Sequence, residues 1–223
     1  MPEPARTRTY TSTRRTQQAA ATRRVILQAA QLLFERDGYV PTTMEAVATE
    51  AGVALKTVYK AFGTKAGLLR AVWDLLLKGD LDDAPVAARP WYQQALAETD
   101  HRRMLELVVR NSCLVKRRIG AILAVIRSAA VVDPDAAALW DLIQTDFWHN
   151  QRAIVGALHA HGGLRADLDP DQAADILWAL NHPNTWLLLV HERAWNADQF
   201  EAWFLDTVQH QLLNAPLDPH SHP

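Results

Sequence analysis

Residues 38–69 read GYVPTTMEAVATEAGVALKTVYKAFGTKAGLL, and this stretch decides the fold. Gly38 supplies a left-handed stop for a helix before it, whose apolar stripe is Ile26, Ala29, Ala30, Leu33 and Phe34 at i, i+3, i+4, i+7 and i+8. Thr42 or Thr43 opens a second helix, and Thr42 with Glu45 fits a capping box. Its inner face is Met44, Val47, Ala48 and Ala51, and Gly52 ends it. A third, shorter helix starts near Leu55 with Leu55, Val58, Tyr59 and Phe62 at the same spacing. Thr64 caps a fourth that runs through Leu68, Leu69, Val72, Trp73 and Leu76. Two short helices joined by a tight glycine turn and propped by a longer one make a helix-turn-helix pattern. Spacing alone fits any small three-helix bundle equally well.

Chemistry separates the two readings. On a wheel of about 100° per residue, Lys56, Thr57, Lys60 and Ala61 leave the third helix opposite its apolar side. Such a face suits the major groove: lysine reaches phosphate or guanine, threonine bonds either way, and small apolar groups meet the thymine methyl. Thr42 and Thr43 stand where free backbone N–H groups of a helix N-terminus favour a phosphate. Lys65, beside the Thr64 cap, is placed for a second phosphate. Tyr59 has a ring for the core edge and a hydroxyl for phosphate. Arg14, Arg15, Arg23 and Arg24 fit either a contact to the DNA backbone or minor groove, or a solvated tail.

The run Gly38-Tyr39-Val40-Pro41-Thr42-Thr43-Met44-Glu45-Ala46-Val47-Ala48, with Ala51-Gly52-Val53, Thr57-Val58-Tyr59, Phe62, Lys65 and Leu68-Leu69, resembles the N-terminal domain of the TetR family of bacterial transcriptional regulators. The likeness covers about residues 20–70. It implies a homodimeric all-α protein with an N-terminal helix-turn-helix and a C-terminal ligand-binding and dimerisation domain. The chain departs from the family at three places. Ala54 stands where a capping Ser or Thr is usual, Leu55-Lys56 where smaller residues are frequent, and Ala66 where Glu is common. A lost cap costs about 1 kcal/mol, which anchored Leu55 and Phe62 can offset.

The rest of the 223 residues supports two modules. Residues 1–78 hold 12 Lys+Arg against 6 Asp+Glu, whereas the remainder holds 11 against 19, so only the first half is suited to an anionic partner. Residues 1–16 read as a disordered basic arm, 17–64 as the DNA-binding domain, 65–214 as the ligand-binding and dimerisation domain, and 215–223 as a flexible tail. Helices are expected at about 91–97, 100–116, 118–131, 134–160, 170–192 and 197–213. Without strand-like alternation, the fold class is all-α. Apolar runs such as Leu187–Val190 fall far short of the ~20 residues of a membrane span, and the polar, arginine-rich start is no secretory signal. The chain is therefore expected in the cytoplasm, off the membrane. A lone cysteine, Cys113, precludes an intramolecular disulfide or a cysteine zinc site. It reads as a buried inert thiol, although Lys116 and Arg117 nearby would favour a thiolate. His159 and His161 face different sides of a helix, so no metal or other cofactor is expected. His220 and His222 belong to the tail.

No nucleophile elbow, Walker loop, dinucleotide fingerprint or HExxH occurs, and no catalytic residue is assigned. The reading is a DNA-binding regulator with a double-stranded operator as partner, most simply a repressor released by a small, largely apolar or aromatic effector. A regulator without small-molecule control, and an α-helical enzyme with an incidental basic module, are the alternatives. Trp140, Phe147, Trp148 and Trp178 are the candidate effector contacts, set against the commoner role of helical aromatics as core. Pro183, in Asn181-His182-Pro183, is expected to kink a long helix. The apolar load of 170–192 and 197–213 marks those helices as the dimer contact.

Overall fold

Proline and capping side chains set where the long helices begin. In the computed structural model, which describes residues 8–79 and 85–214 with side chains from residue 16 onward, the order is α1 (Arg8–Asp37), α2 (Met44–Glu50), α3 (Leu55–Phe62) and α4 (Lys65–Lys78). A 3-10 turn (Val86–Ala88) leads to α5 (Pro90–Ala97), α6 (His101–Ala129), α7 (Pro134–Ala160), α8 (Pro170–Asn181), α9 (Pro183–Trp186), a π-helical turn (Leu187–Glu192) and α10 (Ala197–Leu212). Asp133 and Asp169 cap α7 and α8 just before their first prolines, each accepting two backbone N–H bonds. Asn196 and Gln199 form a complete capping box on α10. The fold is all-α, and among the described residues no helix is long and apolar enough to cross a membrane.

Three elements differ from the sequence reading. The first helix starts at Arg8, inside the stretch read as an arm, because Arg, Gln and Ala are strong helix formers even without an apolar stripe. Residues 1–7, 80–84 and the tail with His220 and His222 lie outside the described residues, as do the side chains of Arg14 and Arg15. The pair expected at 100–116 and 118–131 is one helix, α6; nothing near Arg117 stops it, and Gly120 is carried inside it. The helix expected over 170–192 is broken rather than kinked. Pro183 has no N–H for the Ala179 carbonyl, which accepts instead from His182 N at 3.3 Å and the Thr185 hydroxyl at 3.1 Å. His182 is extended (φ −60°, ψ 135°), and its Nδ1 caps α9 by accepting from Asn184 N.

The chain forms two compact units. One takes residues up to Asp74 together with Ala124–Leu139; the other takes Leu75–Leu123 and Trp140 onward. In the first, Ile26, Leu27, Ala30 and Phe34 of α1 are buried with Val47, Val58, Leu68 and Leu69. In the second, Met104, Leu105, Leu158, Leu177, Phe200, Phe204, Val208 and Leu212 make the core. α4, α6 and α7 each continue from one unit into the other.

Candidate functional site

The helix-turn-helix is built by short-range bonds. Thr43, not Thr42, is the N-cap of α2, accepting from Ala46 N at 3.1 Å. Thr42 is 2% exposed, and its hydroxyl donates to the carbonyls of Gly38 (2.8 Å) and Leu33 (3.3 Å). It closes the end of α1 and is not placed to meet a phosphate. Gly52 makes the turn at φ 65°, a left-handed conformation that residues with a Cβ rarely adopt. Ala54, the N-cap of α3, offers no side-chain cap, as the sequence implied.

The face of α3 lies open. Lys56, Lys60 and Ala61 are exposed, Thr57 is half-buried, and only Val58 is fully buried. Tyr59 is 46% exposed and belongs to this face more than to the core edge. From α1, the Arg23 guanidinium lies 4.5 Å from the Phe62 ring centroid and donates to the Ala61 carbonyl at 3.3 Å. It thereby satisfies a carbonyl at the C-terminal end of α3, where a cation also suits the helix dipole. At the turn into α4, Thr64 accepts from Gly67 N at 3.0 Å. A Cβ at Gly67 would stand 2.4 Å from the Phe62 carbonyl oxygen, so only glycine fits that approach.

Lys65 has a different task from the one its position suggested. Its ammonium donates to the carbonyls of Tyr39 (2.9 Å) and Val40 (3.3 Å) and sits 4.2 Å from the Tyr39 ring centroid. Partial burial lowers its pKa. It braces the loop between α1 and α2, and Tyr39 in turn donates to the Asp133 carboxylate. That bond holds the Asp133 carboxyl below its usual range, with further help from the N–H groups it caps. Asp133 thus contributes stability above its unfolded value of about 3.9, and the contribution is lost as pH falls through its lower folded value. Asp133→Asn keeps the cap but removes the titration. It should lose less stability than the parent between pH 5 and pH 2, measured by circular dichroism melts.

In the second unit the candidate aromatics part company. Phe147 and Trp178 both meet the His182 ring, with centroids 6.0 and 4.8 Å apart. Trp148 turns elsewhere: its indole donates to Asp175 at 3.0 Å and its ring lies 5.5 Å from the Arg152 guanidinium. Trp140 is half-buried and joins neither group. Around His182 the structure gathers polar residues that the sequence reading did not bring together as a site. Lys116 of α6 donates to Asn181 Oδ1. Asn181 Nδ2 donates to Gln151 Oε1 (2.9 Å) and Ser112 Oγ (3.2 Å). Because His182 Nδ1 accepts from Asn184, its proton lies on Nε2 and is given to Gln144 Oε1 at 3.0 Å. Their signal was present in the sequence. Lys116, Asn181 and Gln151 occupy the apolar register of their helices, following Cys113, Leu177 and Phe147.

Cys113 is fully buried, and burial pushes its thiol up to about 11, outweighing the opposing pull of Lys116 and Arg117. It should therefore react with a water-soluble disulfide reagent at pH 8 only upon unfolding, with a native rate at least a hundredfold slower. Among the described residues no cluster suited to a metal ion is found.

The model of the bacterial regulatory proteins, tetR family, matches residues 26–72, from the buried start of the α1 stripe to Val72 of α4. Three solved structures share the fold along most of their length. A transcriptional regulator from Saccharomonospora viridis, solved in complex with choline, is 20% identical with a TM-score of 0.69, covering 88% of this chain and 100% of that one. SmeT, solved with triclosan, is 19% identical with a TM-score of 0.69 over 91% and 97% of the two chains. NalD, the secondary repressor of the MexAB-OprM multidrug efflux pump in Pseudomonas aeruginosa, is 20% identical with a TM-score of 0.63 over 88% and 98%. No curated protein matches the chain in sequence. The helix-turn-helix is thus similar in sequence to the bacterial regulatory proteins of the tetR family over residues 26–72, and the chain as a whole shares the fold of these three structures.

Proposed function

We propose that this chain is a cytoplasmic, ligand-responsive repressor that binds a pseudo-palindromic operator as a homodimer and leaves it when a small, largely apolar or aromatic effector binds the second unit. The observation that carries the reading is the open face of α3. Lys56, Thr57, Tyr59 and Lys60 stand on it, in the domain that matches the family. Thr43, the exposed N-cap of α2, adds a further polar side chain. Lys65 supports this surface by fixing the α1–α2 loop rather than by binding phosphate itself.

Dimer contact through α8 and α10 is supported by what their inner faces leave over. Phe200, Phe204, Val208 and Leu212 are consumed within the unit, whereas Ile176, Leu180, Leu187 and Trp203 stay partly open and Leu188 is exposed. Two recognition helices related by a two-fold axis would read half-sites about 34–36 Å apart, or a multiple. Choline and triclosan in two relatives support a small organic effector, and Phe147 and Trp178 at His182 are the contacts favoured here. The test is fluorescence anisotropy with duplexes tiled across the DNA upstream of its own coding sequence, in increasing salt. Saturable binding to one duplex at protein-dimer stoichiometry is the expected result. Equal binding to every duplex would overturn the operator reading.

A further inference from the structure

Lys116 carries a charge into the interior of the second unit, and among the described residues no carboxylate meets it. It is 3% exposed, donates one N–H to Asn181 Oδ1, and lies 5.6 and 5.0 Å from the ring centroids of Phe200 and Phe204. A buried ammonium without an anionic partner is costly, and natural cores rarely keep one without a use. The amides around it are already committed. Asn181 gives both amide hydrogens to Ser112 and Gln151, and Gln151 gives one of its own to the Phe147 carbonyl at 3.2 Å.

What remains in this region is donors. Among the described residues, two N–H groups of Lys116 meet no polar acceptor, and the Ser112 hydroxyl accepts from Asn181 with no donation of its own. The indole N–H of Trp178, three residues before Asn181 on α8, is buried without a partner. Ser112 and Lys116 are i, i+4 on α6, so hydroxyl and ammonium stand one turn apart on the same face. A group that answers unused donors around a cation is an anion with several lone pairs. A carboxylate offers about four lone-pair sites on two oxygens. We propose that the effector is an amphipathic organic carboxylate, its acid group held by Lys116 and Ser112 and its apolar or aryl body lodged among the aromatic rings of the same unit. This deepens the reading of the chain as a ligand-responsive regulator and rests on it. Entry falls to the segment Pro183–Glu192, where the helical ladder is already interrupted at His182 and in the π-helical turn, an irregularity that often marks functional sites.

The test is isothermal titration of full-length, DNA-free protein at pH 7 with phenylacetate, 4-phenylbutyrate and 6-phenylhexanoate, each beside its neutral amide. At least one carboxylate should bind ten or more times tighter than its amide, and Lys116→Met should erase that preference. The variant should melt no lower than the parent, because an unpaired buried cation is replaced by an apolar chain of similar length. A second reading needs no variant. Burial holds the Lys116 ammonium down near 8. Carboxylate affinity should fall about tenfold per pH unit above that value, and binding at pH 9 should take up a proton, seen as heat that varies with the buffer. The other titratable groups bearing on this site are Cys113 on α6, pushed far higher, His182 after α8, and Glu201 of α10, which acts on Cys113. Arg117 pairs outward with Asp198.

The inference is overturned if no carboxylate of the series, bound or unbound, outdoes its amide, or if wild-type binding takes up no proton at pH 9. Failure of the broader reading looks different. A protein that binds no operator but prefers the carboxylate has this site without that function. Operator release by a neutral ligand, with no carboxylate preference, leaves the regulator standing and removes only the acid.

Discussion

Lys56→Ala combined with Lys60→Ala lowers affinity for every duplex and flattens its salt dependence. Both side chains are exposed on α3, and among the described residues neither takes part in a side-chain hydrogen bond or ion pair. Their removal therefore leaves the helix-turn-helix intact, which an unchanged melting curve would verify. Each phosphate contact contributes about 0.9 to the slope of log affinity against log salt. With two contacts gone, the parent should lose about tenfold more affinity than the variant between 50 and 200 mM salt. Thr57→Ala should behave differently. It is half-buried on the same face and carries no net charge, so its loss leaves the salt slope alone. It redistributes preference among operator variants by about 1–3 kcal/mol at the base it reads. Unchanged slope in the double lysine variant would mean that another surface carries the DNA. Lys65→Ala supplies an internal contrast, since it removes two bonds to the α1–α2 loop and should lower the melting temperature as well as affinity.

Local periodicity and caps made the helix-turn-helix legible, because its elements are short and each is bounded by a glycine or a threonine whose effect acts within one turn. Position was legible there, but the direction of a side chain was less so. Thr42 and Thr43 are neighbours of one type, and only the path of the chain after Gly38 sends the first inward and leaves the second as cap. Lys65 looks like a phosphate ligand until the α1–α2 loop folds over it and supplies two carbonyls. Tyr39 lies 94 residues from Asp133, and no pattern in either neighbourhood announces their bond. The second unit shows the same limit more strongly. Its helices were legible from proline and cap signals, but α6 hid its continuity because a run of Lys and Arg at 116–118 resembles a boundary. Lys116 sits in the apolar register of that helix. Only the packing of α8 and α10 against α6 turns it from a solvated cation into a buried one.

Phe204→Ala should lower the unfolding free energy by about 3–5 kcal/mol, the range for truncating a fully buried aromatic that its surroundings cannot refill. Phe204 is 0% exposed, packs at 5.9 Å on Phe200, and lies under the Lys116 ammonium. Phe200 is itself fixed edge-on by Trp186 at 4.9 Å, so the neighbouring rings have little freedom to collapse into the space. The cost has a second origin. Without the ring face, the ammonium of Lys116 loses one of the two π surfaces that partly answer its charge. The double variant Phe204→Ala with Lys116→Met should therefore lose less than the sum of the two single changes, a coupling visible in a double-mutant cycle. Trp203 beside it separates core from contact surface. It is only partly buried, packs T-shaped against Trp195 at 6.0 Å, and belongs to α10, one of the two helices proposed for the dimer contact. Trp203→Ala should cost little in a melt at dilute monomer concentration yet shift sedimentation at micromolar protein from dimer toward monomer. If Trp203→Ala destabilises as much as Phe204→Ala and leaves the dimer intact, Trp203 belongs to the core and the contact through α8 and α10 must lie elsewhere.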